Sequence, residues 1–109
     1  MEIRLNDPFA AELLRAQTAL MQVIDPELYV NVVDLGLIYG VDFTVNAKVT
    51  VRMTLSTPGC PMGDAITNGV TNVMTAAFPD REVEVVLVWE PRWNYDMITD
   101  EGKAQMGLE

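Results

Sequence analysis

The single cysteine of this chain, Cys60, is the residue best placed to do chemistry. It lies between Gly59 and Pro61, where the alternating pattern of a predicted strand gives way to a helical pattern. With Pro61 as the first helical residue, Cys60 is the N-cap, and free backbone N–H groups face its sulfur. Such a position lowers a thiol pKa, and the thiolate is the form that ligates metals. We therefore predict a reactive, metal-binding cysteine; the alternative is a small buried apolar side chain.

Acidic and hydroxyl side chains are candidates for a polar site around this thiol. Asp25 and Glu27 follow the first predicted helix, and they reach Cys60 if that helix packs beside the second. The alternative is an exposed turn whose carboxylates accept hydrogen bonds from local N–H groups. Ser56 and Thr57 either end a strand or donate hydrogen bonds to a thiolate or a cluster sulfide. Asp34, just before a glycine, is assigned to turn chemistry.

The residue types limit the metal chemistry. A structural zinc site uses four cysteine or histidine ligands, and this chain has one cysteine and no histidine. An iron–sulfur cluster needs four ligands as well, so a second copy, a partner's cysteines or a small thiol would have to complete it. Such a site is labile, which suits a transfer or assembly factor better than an electron carrier.

The same composition bears on other classes of protein. Thiol hydrolases pair the nucleophile with a histidine, so we predict that the chain is not an enzyme, with peroxidase or thiol-exchange chemistry as the alternative. A net charge of −9 argues against nucleic-acid binding. The apolar runs are too short to span a membrane, so we expect a cytoplasmic protein with a single domain over 1–109.

Hydrophobic periodicity predicts a two-layer α+β sandwich of the order helix, strand, strand, helix, strand. The first two strands read as an antiparallel hairpin, and the helical crossover makes the third strand parallel to the second. A small mixed sheet results, covered on one face by both helices. The predicted helices are 8–23 and 61–77, the strands are 37–43, 48–56 and 82–89, and an irregular tail begins at about 90.

The second face of this sheet carries Val86 and Val88 beside Thr50 and Arg52. Its apolar residues need a cover. Either the tail, which contains Trp93, folds over this face, or a second copy of the chain does, which would make the protein a homodimer.

Four motifs now identify a resemblance. The segments 25–28 (DPEL), 33–39 (VDLGLIY), 53–61 (MTLSTPGCP) and 89–93 (WEPRW) occur in the same order in the SufT-like proteins, also called the MIP-type family. The resemblance covers about 13–107. It implies a fold similar to the C-terminal domain of NifU and a role in iron–sulfur cluster assembly, with assembly machinery and client apo-proteins as partners.

The resemblance also implies a site. The family's reactive cysteine corresponds to Cys60, and its cofactor-binding surroundings correspond to Asp25, Glu27, Leu28, Ser56 and Thr57. Ser56 stands where threonine is more usual, and the hydroxyl is retained. The related PaaD-like proteins, accessory subunits of a multicomponent aromatic-CoA oxygenase, are the alternative. They typically carry a cysteine-bearing extension after the shared domain, and this sequence ends at Glu109 without one.

Overall fold

The computed structural model describes residues 3–44, 46–56 and 63–107. Up to the third strand, the elements follow the predicted order of helix, strand, strand, helix and strand, so the α+β prediction is confirmed. The elements are α1 (Ala10–Leu20), β1 (Ile38–Thr44), β2 (Lys48–Met53), α2 (Gly63–Ala77), β3 (Glu82–Leu87), a 3-10 turn (Tyr95–Met97) and α3 (Asp100–Met106).

The three strands form one mixed sheet in the order β1-β2-β3. β1 and β2 pair antiparallel, whereas β2 and β3 pair parallel, as the hairpin and crossover patterns predict. Val51 at the centre of the sheet lies between Val41 and Val85. The register therefore puts Val41, Val51 and Val85 on the same face of the sheet.

Both long helices cover that face. The β2 side chains Val49, Val51 and Met53 are fully buried, and α2 packs against both β3 and α1. A Cβ atom on Gly69 would lie 3.3 Å from a methyl group of Val23, so the glycine allows α2 to approach the segment that follows α1 closely. The core positions the end of β2 next to the start of α2.

The predicted irregular tail is wrong, because the segment after β3 contains the 3-10 turn and α3. Thr99 caps α3 by accepting a hydrogen bond from the N–H of Gly102 at 3.1 Å, and Gly107 ends the helix with a left-handed φ of 74°. The helix is short and largely polar, so it lacks the apolar periodicity that marks longer helices. α1 and β2 are also shorter than predicted over 8–23 and 48–56.

The tail docks onto the loop 31–36 through buried polar groups. The hydroxyl of Thr99 donates to one carboxylate oxygen of Asp34 at 3.0 Å, and the amide of Asn31 donates to the other at 2.7 Å. The indole N–H of Trp93 donates to the carbonyl of Leu35 at 2.6 Å. Asp34 therefore has the structural role that its turn position suggests.

The tail reaches only part of the second sheet face. Tyr39 donates its hydroxyl hydrogen to the carbonyl oxygen of Pro91 at 2.7 Å, which fixes the tail at one end of β1. Val86 remains 36% exposed. A second copy of the chain on this face stays a prediction. Within the described ranges, no helix is long and apolar enough to cross a membrane.

Candidate functional site

The structure describes four of the six predicted site residues. Asp25, Glu27 and Leu28 lie in the turn after α1, and Ser56 follows β2. Thr57 and Cys60 lie outside the described residues. The described parts of the candidate site are therefore this turn and the end of β2.

Asp25 is buried, contrary to the prediction of an exposed turn, with only 1% of its surface accessible. One carboxylate oxygen accepts hydrogen bonds from the N–H groups of Glu27 at 2.8 Å and Leu28 at 3.1 Å. The Asp25 backbone closes the loop by donating to the carbonyl of Val30 and accepting from the N–H of Tyr29. These hydrogen bonds explain why Asp25 is buried, because its carboxylate must lie inside the turn to reach the two N–H donors.

The other residues of this turn have different environments. Glu27 is exposed, whereas Leu28 is half-buried and packs against the core. Tyr29 is 79% exposed and has a φ of 60°, in the left-handed region that a bulky residue rarely adopts. The left-handed backbone conformation of Tyr29 could not be predicted, because tyrosine rarely adopts it. The approach of Asp25 and Glu27 to Cys60 stays a prediction.

Two substitutions separate the structural role of Asp25 from an electrostatic one. Asp25→Asn keeps a side-chain oxygen that accepts the two N–H bonds, so we expect a loss of less than about 1 kcal/mol in unfolding free energy. Asp25→Ala leaves two donors without their acceptor and should cost about 2 kcal/mol or more. Urea unfolding measures both. Equal losses in the two variants would show that the carboxylate charge, rather than the turn, is what stabilises this segment.

The end of β2 lies directly against the start of α2. A Cβ atom on Gly63 would lie 2.8 Å from a terminal methyl group of buried Leu55, so glycine permits this close approach. Ser56 and Gly63 flank the segment 57–62, which contains the only cysteine of the chain.

A cleft of about 250 Å³ opens beside Ser56. Its wall is held in place by the hydrogen bond from Trp93 to the loop 31–36. Trp89 is 41% exposed, and Arg92 is exposed beside it. The cleft thus combines apolar walls with one cation and one anion. Its lining residues are Thr54, Leu55, Ser56, Trp89, Glu90, Arg92 and Trp93.

The segment 89–93 carries part of the resemblance to SufT-like proteins, but its residues were not among the predicted site residues. The aromatic and charged residues clustered just after the third strand were the sequence signal that could have indicated a binding surface here. The hydrogen bond from Trp93 to the carbonyl of Leu35 is a long-range contact, so the sequence pattern alone could not place this wall beside Ser56.

Tyr39, at the base of the tail, titrates late. Burial is the main cause that raises its phenol pKa above 10.0, and the nearby charge of Glu90 raises it further. Because the folded state holds this proton more tightly than the unfolded chain, its stabilising effect is complete below about pH 10 and is lost as the pH rises through the folded pKa. In Tyr39→Phe, the free energy of unfolding should therefore fall less steeply above pH 10 than in the wild type.

Ultraviolet titration of tyrosinate checks this prediction. The absorbance change that disappears in Tyr39→Phe should occur at higher pH in the folded protein than the absorbance change of the same tyrosine in the urea-unfolded chain. The reverse order would show that the Tyr39 hydroxyl is not held by the tail.

The fold and the site define a small two-layer α+β domain that carries its one thiol in the connection between a central strand and a helix. The model of the family described as "Iron-sulfur cluster assembly protein" matches residues 15–88, and the chain belongs to this family.

Individual relatives agree with this assignment. A Porphyromonas gingivalis protein named "Fe-S protein maturation auxiliary factor" is 43% identical over 89 residues, which cover 82% of this chain and 85% of the relative. The "Fe-S protein maturation auxiliary factor SufT" of Staphylococcus aureus is 41% identical over 86 residues, covering 79% of this chain and 98% of the relative. The resemblance to SufT-like proteins is confirmed, and the PaaD-like alternative is not favoured.

A solved structure shows the same fold. The crystal structure of a domain of unknown function from Bacillus anthracis superimposes with a TM-score of 0.84 at 35% sequence identity. The superposition covers 91% of this chain and 94% of the other. The two chains therefore share the arrangement of helices and strands.

Proposed function

We propose that this protein is a maturation factor that helps iron–sulfur clusters reach apo-proteins, with Cys60 as the thiol that contacts the cluster or its carrier. Family membership and the names of the relatives support the general role. One structural observation supports the site: Ser56 and Gly63, which flank the cysteine-bearing segment, are brought together by the contact between Leu55 and Gly63, and Ser56 lines the cleft.

The iron–sulfur cluster is the cargo of this site rather than a resident cofactor. The chain supplies one thiol and no histidine. Its described residues contain no group of three or more side chains that could hold a metal ion. A cluster needs about four ligands, so the remaining ones come from a second copy, a small thiol or a partner protein. Incomplete coordination by one chain favours release to a client.

The cleft beside Ser56 supplies the surroundings that such cargo needs. A thiolate-ligated cluster is anionic, and hydrogen bonds to its sulfur atoms stabilise it. The Ser56 hydroxyl and the exposed Arg92 guanidinium are donors at this cleft. The indole rings of Trp89 and Trp93 exclude water from one side. These are binding roles: the chain positions the cluster, and release to a client exchanges the ligands of this chain for those of the client.

Asp25 has a supporting role in this proposal. Its carboxylate holds the turn that carries Glu27 and Leu28, and Glu27 remains exposed for contact with a partner. The partners are iron–sulfur assembly proteins and client apo-proteins. We expect the protein to act in the cytoplasm, where a single thiol stays reduced.

Anaerobic reconstitution with iron, sulfide and glutathione tests whether Cys60 holds the cargo. The wild type should develop a visible chromophore, and native mass spectrometry should show two chains, or one chain with glutathione, per cluster. Cys60→Ser should stay colourless. Ala65→Ser, which introduces a serine on the exposed side of α2, is the matched control and should behave as the wild type.

Two results would contradict direct binding. An equal chromophore in Cys60→Ser would place the cluster on other residues. The absence of a chromophore from every variant would mean that the protein docks carriers and clients without holding the cluster itself.

A further inference from the structure

β3 presents one backbone edge away from the rest of the sheet. The N–H groups of Glu82 and Val88 donate to carbonyls of the β2 side at 2.8 Å. Backbone groups alternate in direction along a strand, so those of Val83, Val85 and Leu87 point away from β2. In residues 3–44, 46–56 and 63–107, no further strand pairs with this edge.

The side chains along this edge are apolar at one end and acidic at the other. Val86 is 36% exposed, Leu87 40% and Trp89 41%. Glu82 and Glu84 are exposed at the start of the strand. Proteins commonly protect an edge strand with charged side chains, above all lysine, or with proline; 82–87 (EVEVVL) contains no lysine or proline, and its charges lie only at Glu82 and Glu84.

We propose that the β3 edge docks an extended segment of a partner protein as a fourth strand, and that this segment alternates basic with apolar side chains. Main-chain hydrogen bonds to Val83, Val85 and Leu87 would supply affinity. Basic residues would lie beside Glu82 and Glu84 on one face of the extended sheet, and apolar residues would lie beside Val83, Val85 and Leu87 on the other face.

Electrostatics favour a basic partner segment over a second copy of the chain at the β3 edge. Each copy carries a net charge of −9, so two copies repel one another at an edge that is itself acidic. A basic segment is attracted by the same charges. Trp89 also lines the cleft beside Ser56, so a segment docked on β3 would lie next to the candidate site. The proposal does not depend on whether the protein holds a cluster.

A pair of designed octapeptides tests the proposal on the purified protein. In one, lysine alternates with valine; in the other, glutamate replaces lysine. The lysine peptide should shift the amide resonances of Val83, Val85 and Leu87 and slow their hydrogen exchange. The glutamate peptide should bind at least about tenfold more weakly, because the contacts with Glu82 and Glu84 change from opposite charge to like charge.

Protein variants identify the surface. The double variant Glu82→Gln/Glu84→Gln should weaken binding of the lysine peptide about three- to tenfold, with a smaller loss at high salt. Glu12→Gln/Glu101→Gln makes the same change of charge on α1 and α3 and should have little effect. Val85→Pro removes one outward N–H group and should abolish binding, whereas Val85→Thr retains the group and should bind.

Three results would overturn the proposal. The first is equal binding of the two peptides, or no binding of either. The second is binding whose resonance shifts lie away from β3. The third is a dimer in sedimentation experiments that Val85→Pro dissociates, which would make a second copy the occupant. If Val85→Pro fails to fold, the charge variants and the resonance shifts still decide.

Discussion

Cys60→Ser should abolish the maturation of iron–sulfur enzymes in cells that depend on this protein, while its melting temperature stays within about 2 °C of the wild type. The thiol and the hydroxyl are similar in size, so the fold loses little packing. The thiolate, which is what binds iron, is lost completely. Enzyme activities in a complemented deletion strain, together with thermal unfolding of the purified variant, measure both effects.

Ala65→Ser serves as the control here as well, because it adds a hydroxyl to the exposed side of α2 without removing the thiol. A fall of many degrees in the melting temperature of Cys60→Ser would favour the alternative in which the cysteine is a buried apolar side chain. Full complementation by this variant would remove Cys60 from the mechanism altogether.

Gly36→Ala should destabilise the protein by about 3 kcal/mol or more. Gly36 has a φ of 76°, and a Cβ atom there would collide with the backbone carbonyl oxygen of Met97. The left-handed conformation costs alanine about 1–2 kcal/mol, and relief of the collision requires the tail to move. The corresponding fall in melting temperature is roughly 12 °C, at about 4 °C per kcal/mol. Thermal and urea unfolding measure the effect.

Gly107→Ala is the matched control, since Gly107 has a φ of 74° and open space around its Cα atom. This variant should lose only about 1–2 kcal/mol, the conformational cost alone. Similar losses in the two variants would mean that the tail does not pack on Gly36 in solution.

The hairpin and the crossover could be predicted because their signals are local. Alternation from Lys48 onward specifies which face of β2 is buried, and the helical pattern of 61–77 requires a crossover to the third strand. α3 could not be predicted in this way, because its short, polar sequence is helical through the Thr99 cap and the contact of the tail with Asp34. Tertiary contacts decided that segment.

For the candidate site too, local features could be predicted from the sequence and features that depend on tertiary contacts could not. Motif order and residue chemistry single out Cys60, Ser56 and the turn at Asp25. Burial of Asp25 depends on donors within its own turn, whereas the pattern of 25–28 predicted an exposed turn. The wall formed by Trp89 and Trp93 depends on contacts with residues distant in sequence.

The activation of an apo-client is the most direct test of the central claim. Apo-aconitase is mixed anaerobically with a limiting cluster donor, and its recovery of activity is followed with and without this protein. Aconitase activity should recover faster with the wild type and with Ala65→Ser, and it should recover at the unassisted rate with Cys60→Ser. A rate that the wild type does not change, or that Cys60→Ser raises equally, would contradict a maturation role carried by this thiol.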